Sequence, residues 1–377
     1  MESPLAILTT LLSIIGLNNH SSSPSSFPLV SSPLFPSAPS PSPSPSPSPS
    51  PSRGGEINTT AISDKLRVDF YNLSCPNVEQ IIGDVVWKKS QENPGIVPGI
   101  IRLHFHDCYI TGCDASILLT AQRYNCYDAE MTFPANGNSL RGLDALDAAK
   151  TEVEKHCPGV VSCADLLAYA ARDMIVLSGN PKYDVPAGRR DSFNTPGGLA
   201  SALPKGNDTV AFLQQAFADR GLTLQDMVVL EGSHSIGQTR CQNTIAEVGS
   251  MDKMPDTAKF VDKQFLQMEK QKYCPESKEV LFGELRVPLF PDNPNNSDWG
   301  NAFYNHIMKG RGSLPFDVSL AVEQTTKGMV QRYASDSAQW QKMFNEAMVK
   351  LGKVNVLTGD QGEIRRNCKW INAVSTA

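Results

Sequence analysis

Arg102 and His106 stand four positions apart inside Arg-Leu-His-Phe-His-Asp-Cys, residues 102–108, and an acid and a cysteine follow at once. On a helix, such residues project from one face one turn apart, so a guanidinium and an imidazole reach the same small ligand. An imidazole takes up and returns a proton, and a guanidinium holds developing negative charge; cleaving a peroxide bond requires both. Pairs of this spacing also decorate solvated helix faces, so the segment alone leaves the bland reading open. His104 points elsewhere on a helix and is read as a packing residue. A zinc site from His104, His106, Asp107 and Cys108 is disfavoured, because its two histidines diverge.

Holding such a pair rigid takes a helical frame, and the pattern past residue 65 supplies one. Val78, Ile81, Ile82, Val85 and Val86 form an apolar stripe at helical spacing. Ser162 with Asp165, and Thr223 with Asp226, make capping-box patterns ahead of apolar runs. Val210, Leu213 and Phe217 mark a helix stopped by Gly221, and Trp340, Met343, Phe344, Ala347, Met348 and Leu351 mark another closed by Gly352. No series of strands competes, so the expected class is all-α, with two helical lobes and a crevice between them suited to a flat cofactor.

The 377 residues carry a formal net charge of -5 and no long Lys/Arg run, which removes the electrostatic basis for nucleic-acid binding. Residues 5–17 are almost wholly apolar and suit the core of a secretory leader, expected over about 1–20, although Glu2 replaces the usual basic residue. That stretch is too short for the ~20 residues that span a bilayer, so no stable membrane anchor is expected. Residues 21–65 are Ser/Pro-rich, with unbroken Ser-Pro alternation from Pro39 to Ser52, and read either as a spacer or as a glycosylated stalk touching wall polymers. The remainder, 66–377, reads as one domain. Nine cysteines and four Asn-x-Ser/Thr triplets, at Asn58, Asn72, Asn207 and Asn295, fit a secreted glycoprotein with disulfides. The tail after Cys368 leaves little room for a vacuolar address, so export to the wall is expected.

Arg102 to Cys108 continues as Tyr-Ile-Thr-Gly-Cys-Asp-Ala-Ser-Ile-Leu-Leu119, and Leu230-Glu-Gly-Ser-His-Ser-Ile-Gly237 follows with Cys241. Together these resemble the distal and proximal haem signatures of the plant secretory (class III) haem peroxidases. Residues 70–77, 161–165, 188–192 and 362–368 match further family segments in family order, and the resemblance spans 66 to about 370. It implies haem b, with His234 as the proximal iron ligand, Asp317 accepting the other ring N–H of His234, and Phe105 beside the cofactor. It further implies that His106 exchanges a proton with hydrogen peroxide, that Asn136 accepts from the far nitrogen of His106, and that Arg102 stabilises charge. Small phenolic donors then give two single electrons, as in lignin-type oxidation. Pro186 matches a residue whose backbone holds the donor, although fixing a loop is an equally good role; Arg189, Arg190 and Asp191 read as structural charges.

The resemblance also implies a distal calcium site from Asp107, Ile110, Gly112, Asp114 and Ser116, with Glu130 reaching it through water. The implied disulfides are Cys75–Cys157, Cys108–Cys113, Cys163–Cys368 and Cys241–Cys274, leaving Cys126 as a free thiol or an intermolecular link. The proximal calcium region departs from the family pattern: Glu284-Leu-Arg-Val287 stands for Asp-Leu-Arg-Thr, and Trp299-Gly-Asn301 for Phe-Asp-Asn. Val287 and Gly300 offer no side-chain oxygen, so Ser235 remains, with Asp292 or Asp298 as substitutes, and only one calcium site is expected to be secure. The leading expectation is a secreted, monomeric peroxidase. Its alternative is a wall-anchored structural protein with a weak or inactive peroxidase domain; a hydrolase around Ser233 and His234 lacks the Gly-x-Ser-x-Gly pattern.

Overall fold

A computed structural model describes residues 65–120, 129–245, 251–275, 285–290 and 299–372. The expected leader, the stalk up to residue 64, Cys126, Glu284, Asp292 and Asp298 lie outside the described residues.

The helical stripes fold as their spacing requires. Helix α1 spans Val78–Glu92 and buries Val78, Ile82 and Val86; α2, Ile96–Ile110, carries Arg102 and His106. Helices α3, Leu143–His156, and α4, Cys163–Leu177, complete a first group, in which α1 packs on α3 and α4, and α2 on α4. A second group comprises α5, Val210–Ala218, α6, Leu224–Glu231, α7, Pro255–Phe260, α8, Lys263–Tyr273, α9, Ala302–Ile307, α10, Pro315–Val322, α11, Lys327–Ser335, and α12, Ser337–Leu351. There α12 packs on α6, and α10 on α7 and α11. One continuous apolar core runs through both groups, so the expected all-α class holds.

Two strands interrupt the helices. Strands β1, Gln238–Arg240, and β2, Arg286–Pro288, pair antiparallel with Thr239 opposite Val287. At three residues each they are too short to show a period of two.

The caps carry more than local structure. Thr223 and Asp226 close a full capping box on α6. Ser162 accepts from Asp165 N, yet the Asp165 carboxylate does not return the bond. It faces inward instead, accepting from Tyr71 Oη at 2.8 Å, Gly188 N at 2.8 Å and Arg189 Nη1 at 2.7 Å. Arg189 in turn donates to the Gly352 and Pro186 carbonyls, as the expected structural role requires. Asp191 takes the first N–H groups of α4, from Cys163 and Ala164, where a helix dipole favours an anion. Gly352 follows α12 with φ -64, so no left-handed cap explains it. A Cβ there would lie 2.8 Å from Arg189 Nη2, and that close approach is what demands glycine.

Four disulfides form, pairing Cys75–Cys157, Cys108–Cys113, Cys163–Cys368 and Cys241–Cys274 as implied. Cys163–Cys368 closes the longest loop, 205 residues, tying the α4 N-terminus to the C-terminal segment.

Candidate active site

Helix α2 puts Arg102 and His106 on one face, and the 129–140 segment fixes both. Asn136 is fully buried; its Nδ2 donates to the Glu130 carbonyl at 2.8 Å, which turns Oδ1 toward His106 Nδ1 at 2.6 Å. An amide oxygen only accepts, so the imidazole proton sits on Nδ1 and Nε2 is left with its lone pair. Burial, then the Arg102 charge, holds His106 well below the usual imidazole range despite the Asn136 bond. A neutral imidazole with a free Nε2 is the form that accepts a proton. Arg102 is aimed by Ser139 Oγ at 3.2 Å and the Ala135 carbonyl at 3.1 Å. Burial, followed by Arg240 and Arg141, lowers it only to about 10, so it stays charged at neutral pH.

His104 is buried and held at about 3 by burial and by Arg189, with the Cys108 sulfur 3.7 Å from its Nδ1. It is a packing residue, as expected. Cys108 is in its disulfide, which removes it from any zinc set.

The second histidine is set by the end of α6. The helix closes as the Gly232 N–H donates to the Leu230 and Val229 carbonyls. Tyr304 Oη donates to Val228 at 2.9 Å and Trp340 Nε1 to Val229 at 3.1 Å, which anchors the 3₁₀ turn Gly232–Ser235. A Cβ on Gly232 would fall 2.6 Å from Trp340 Nε1. Gly232→Ala is therefore expected to cost ~1–3 kcal/mol by overpacking. Denaturant unfolding of the loaded protein measures it, and unchanged stability counts against this packing.

His234, on that turn, directs Nδ1 at Asp317 Oδ1, 3.1 Å away, and at Glu231 Oε1, 2.9 Å away. Asp317 is fully buried and enters from the first turn of α10. Burial works against charging His234, but the two carboxylates outweigh it and hold the imidazole well above its usual value. Burial pushes Asp317 up; it opposes ionisation of Glu231 too, where the neighbouring His234 prevails.

Gly237 joins the two histidine elements. Its φ is +96, and a Cβ there would lie 3.2 Å from Pro98 Cβ on α2, one turn before Arg102. The chain leaving His234 thus runs against the helix carrying His106, and Arg240 is close enough to act on Arg102. Each histidine commits one ring nitrogen to a side chain, while its Nε2 makes no hydrogen bond among the described residues. His234 keeps 27% of its side chain accessible. An imidazole with Nδ1 fixed by carboxylate and Nε2 open is a ready metal ligand, so these residues fit a haem iron.

A third cluster lies at the foot of α2. Asp107, Asp114 and Glu130 are all buried, and none forms an ion pair among the described residues. Asp107 accepts from Ala115 N at 3.0 Å, Thr111 Oγ1 contacts Ser116 Oγ at 3.0 Å, and both Glu130 oxygens lack hydrogen-bond partners. Burial, followed by Asp114 and Glu130, raises Asp107 well above the carboxylate range, and Glu130 rises to about 8, mainly by burial. Three clustered buried acids are costly even with the Arg365 charge acting on Asp114, and hard oxygen donors suit calcium.

On the other side, Val287 is fully buried against the Cys241–Cys274 disulfide, and its register partner is Thr239. Ser235 is buried, and Trp299 is packed against Trp340 and Phe344. Phe105 is half-buried, its ring 5.2 Å from that of Tyr109 and 6.1 Å from Phe217. The Pro186 carbonyl accepts from Arg189 at 2.7 Å, so it serves the loop directly. Sequence reasoning passed over Ser139, the Ala135 carbonyl and Glu231. Only Glu231 left a trace, as an acid three positions before His234.

Comparison with known proteins agrees with this geometry. A family model described as peroxidase matches residues 82–336. Peroxidase 5 of Vitis vinifera is 39% identical over 310 residues, covering 82% of this chain and 92% of that protein. Peroxidase 1 of Zea mays is 39% identical over 312 residues, 82% of this chain and 83% of its own, and Peroxidase 71 of Arabidopsis thaliana 38% over 309, 81% and 89%.

Proposed function

The chain belongs to the class III plant peroxidases, enzymes that reduce hydrogen peroxide, and from that membership we propose how its own residues divide the work. The observation that carries the proposal is the pairing of Asn136 with His106 and of Asp317 with His234, each leaving one Nε2 open. His234 holds haem b through Nε2, and Asp317 on Nδ1 fixes the ring and strengthens its donation. Bound haem supplies the iron centre at which the peroxide bond is reduced and to which donors later return electrons. Nε2 of neutral His106 accepts a proton from the near oxygen of peroxide and delivers it to the departing one, which leaves as water. Arg102 holds the negative charge that develops on that oxygen. Phenolic donors are the reducing substrates, and Phe105 and Pro186 belong to the walls they approach.

Calcium bound by Asp107, Asp114, Ser116 and the Ile110 and Gly112 carbonyls neutralises the buried acids. Glu130 ties that site to catalysis, because its carbonyl orients Asn136. Chelation is expected to lower the melting temperature, since one site filled a hundredfold above its Kd contributes about 2.7 kcal/mol. Calcium titration of chelated protein counts the sites. No change on chelation sinks the distal site, and two equivalent tight sites overturn the expectation that only one is secure.

Export to the wall suits the four disulfides, and Asn72 and Asn207 are both exposed, as glycan acceptors must be. Among the described residues no helix is long and apolar enough to cross a membrane. The alternative of an inactive structural protein is not favoured by the intact pairs around both histidines. An absorption spectrum before and after peroxide addition tests the whole reading: a missing Soret band, or one that peroxide leaves unchanged, would falsify it.

A further inference from the structure

We propose that Glu231 is a positioning residue that shares the Nδ1–H of His234 with Asp317, giving the proximal imidazole two carboxylate acceptors. The inference rests on the reading of His234 as the haem ligand and adds what tunes that ligand.

The geometry follows from the turn. Helix α6 ends at Glu231, and the 3₁₀ turn Gly232–Ser235 follows immediately. Side chains at i and i+3 lie close together on a 3₁₀ turn, which brings the Glu231 carboxylate to the Nδ1 edge of the His234 ring. Its Oε1 lies 2.9 Å from Nδ1, slightly nearer than Asp317 Oδ1 at 3.1 Å. Ligand atoms of Glu231, His234 and Asp317 all lie within 4.8 Å of one another. The Glu231 side chain is only 16% exposed, so water competes poorly for it. Glu231 has no other ion-pair partner among the described residues.

An N–H that faces two carboxyl oxygens is polarised more strongly than one that faces a single acceptor. The imidazole gains anionic character and becomes a stronger donor through Nε2, which favours ferric over ferrous iron. Asp317 fixes the ring from a separate helix, whereas Glu231 adds charge from the same turn and moves with it. The two therefore act on one proton, and their effects should not add.

The test uses the full-length loaded enzyme and four variants: E231Q, E231D, D317N and E231Q/D317N. E231Q keeps the size and removes the charge; E231D keeps the charge and withdraws it by one methylene. In the ferrous state the iron–histidine stretch, read by resonance Raman, is expected to fall in frequency in E231Q and in E231D. In E231Q the ferric-to-ferrous equilibrium is expected to shift about tenfold toward ferrous iron, a rise of ~59 mV for one electron. The double variant should shift less than the sum of the single ones. An unmoved stretch in both E231Q and E231D, with D317N shifted, overturns the proposal even if the potential moves, because Glu231 then acts only as a distant charge. Should E231Q fail to retain haem, E231D decides by the same stretch. Failure of the underlying reading looks different: H234A would keep the wild-type haem spectrum, whatever Glu231 does.

Discussion

His106→Ala is expected to slow the reaction of the loaded enzyme with hydrogen peroxide by ~10²- to 10⁴-fold, the range of a lost general acid–base group. Haem should remain bound, because the substitution leaves the His234 turn and its anchors at Tyr304 and Trp340 untouched. Stopped-flow absorbance after mixing with peroxide measures the step. A loss below about threefold would remove His106 from the proton transfer, as it lies far under the expected range. Asn136→Val should give a smaller loss by the same measurement. It leaves the imidazole in place but removes the acceptor that holds the proton on Nδ1.

Asp165→Ala is expected to produce the largest loss of stability, about 3–5 kcal/mol, through the unpaired charge it leaves on Arg189. Asp165 and Arg189 are both buried, and the same carboxylate receives Tyr71 Oη and Gly188 N. Arg189 N donates to it as well, so removing the carboxylate takes the acceptor from four buried donor groups at once. Arg189 also reaches Gly352, beyond the end of α12, so the damage spreads from the α4 cap to the C-terminal helix. Equilibrium denaturation at fixed calcium measures the loss. Replacing both partners by apolar residues, Asp165→Leu with Arg189→Met, should recover most of it, since an apolar pair needs no counter-charge. A single variant as stable as the parent would show that water or a neighbouring acid already compensates Arg189.

The helices were largely legible in the amino-acid order. The stripe from Val78 to Val86 and the one from Trp340 to Leu351 follow a period that burial of one face explains, and most of each is buried, with Ile81, Val85 and Met343 only partly covered. Arg102 and His106 were legible for the same reason: four positions on a helix is a distance in space. Caps were legible as chemistry but not as destination. Thr223 and Asp226 close on each other, whereas Asp165 abandons its helix for Arg189, and nothing local distinguishes the two acids.

Sequence alone determined the Arg102–His106 pair, because a helix converts a spacing of four directly into a shared direction. The His234 turn and the acids at the foot of α2 were legible only through their resemblance to family segments. Tertiary structure decided how each is tuned. Asn136 selects the His106 tautomer from 30 positions away, Asp317 meets His234 across 83, and Gly237 brings the turn against Pro98. Such meetings depend on which surfaces the core brings together, a property of the whole packed chain that no local spacing encodes. Glu231 stands between the two cases: its position is local, but its contact with the imidazole depends on the turn that Tyr304 and Trp340 hold in place.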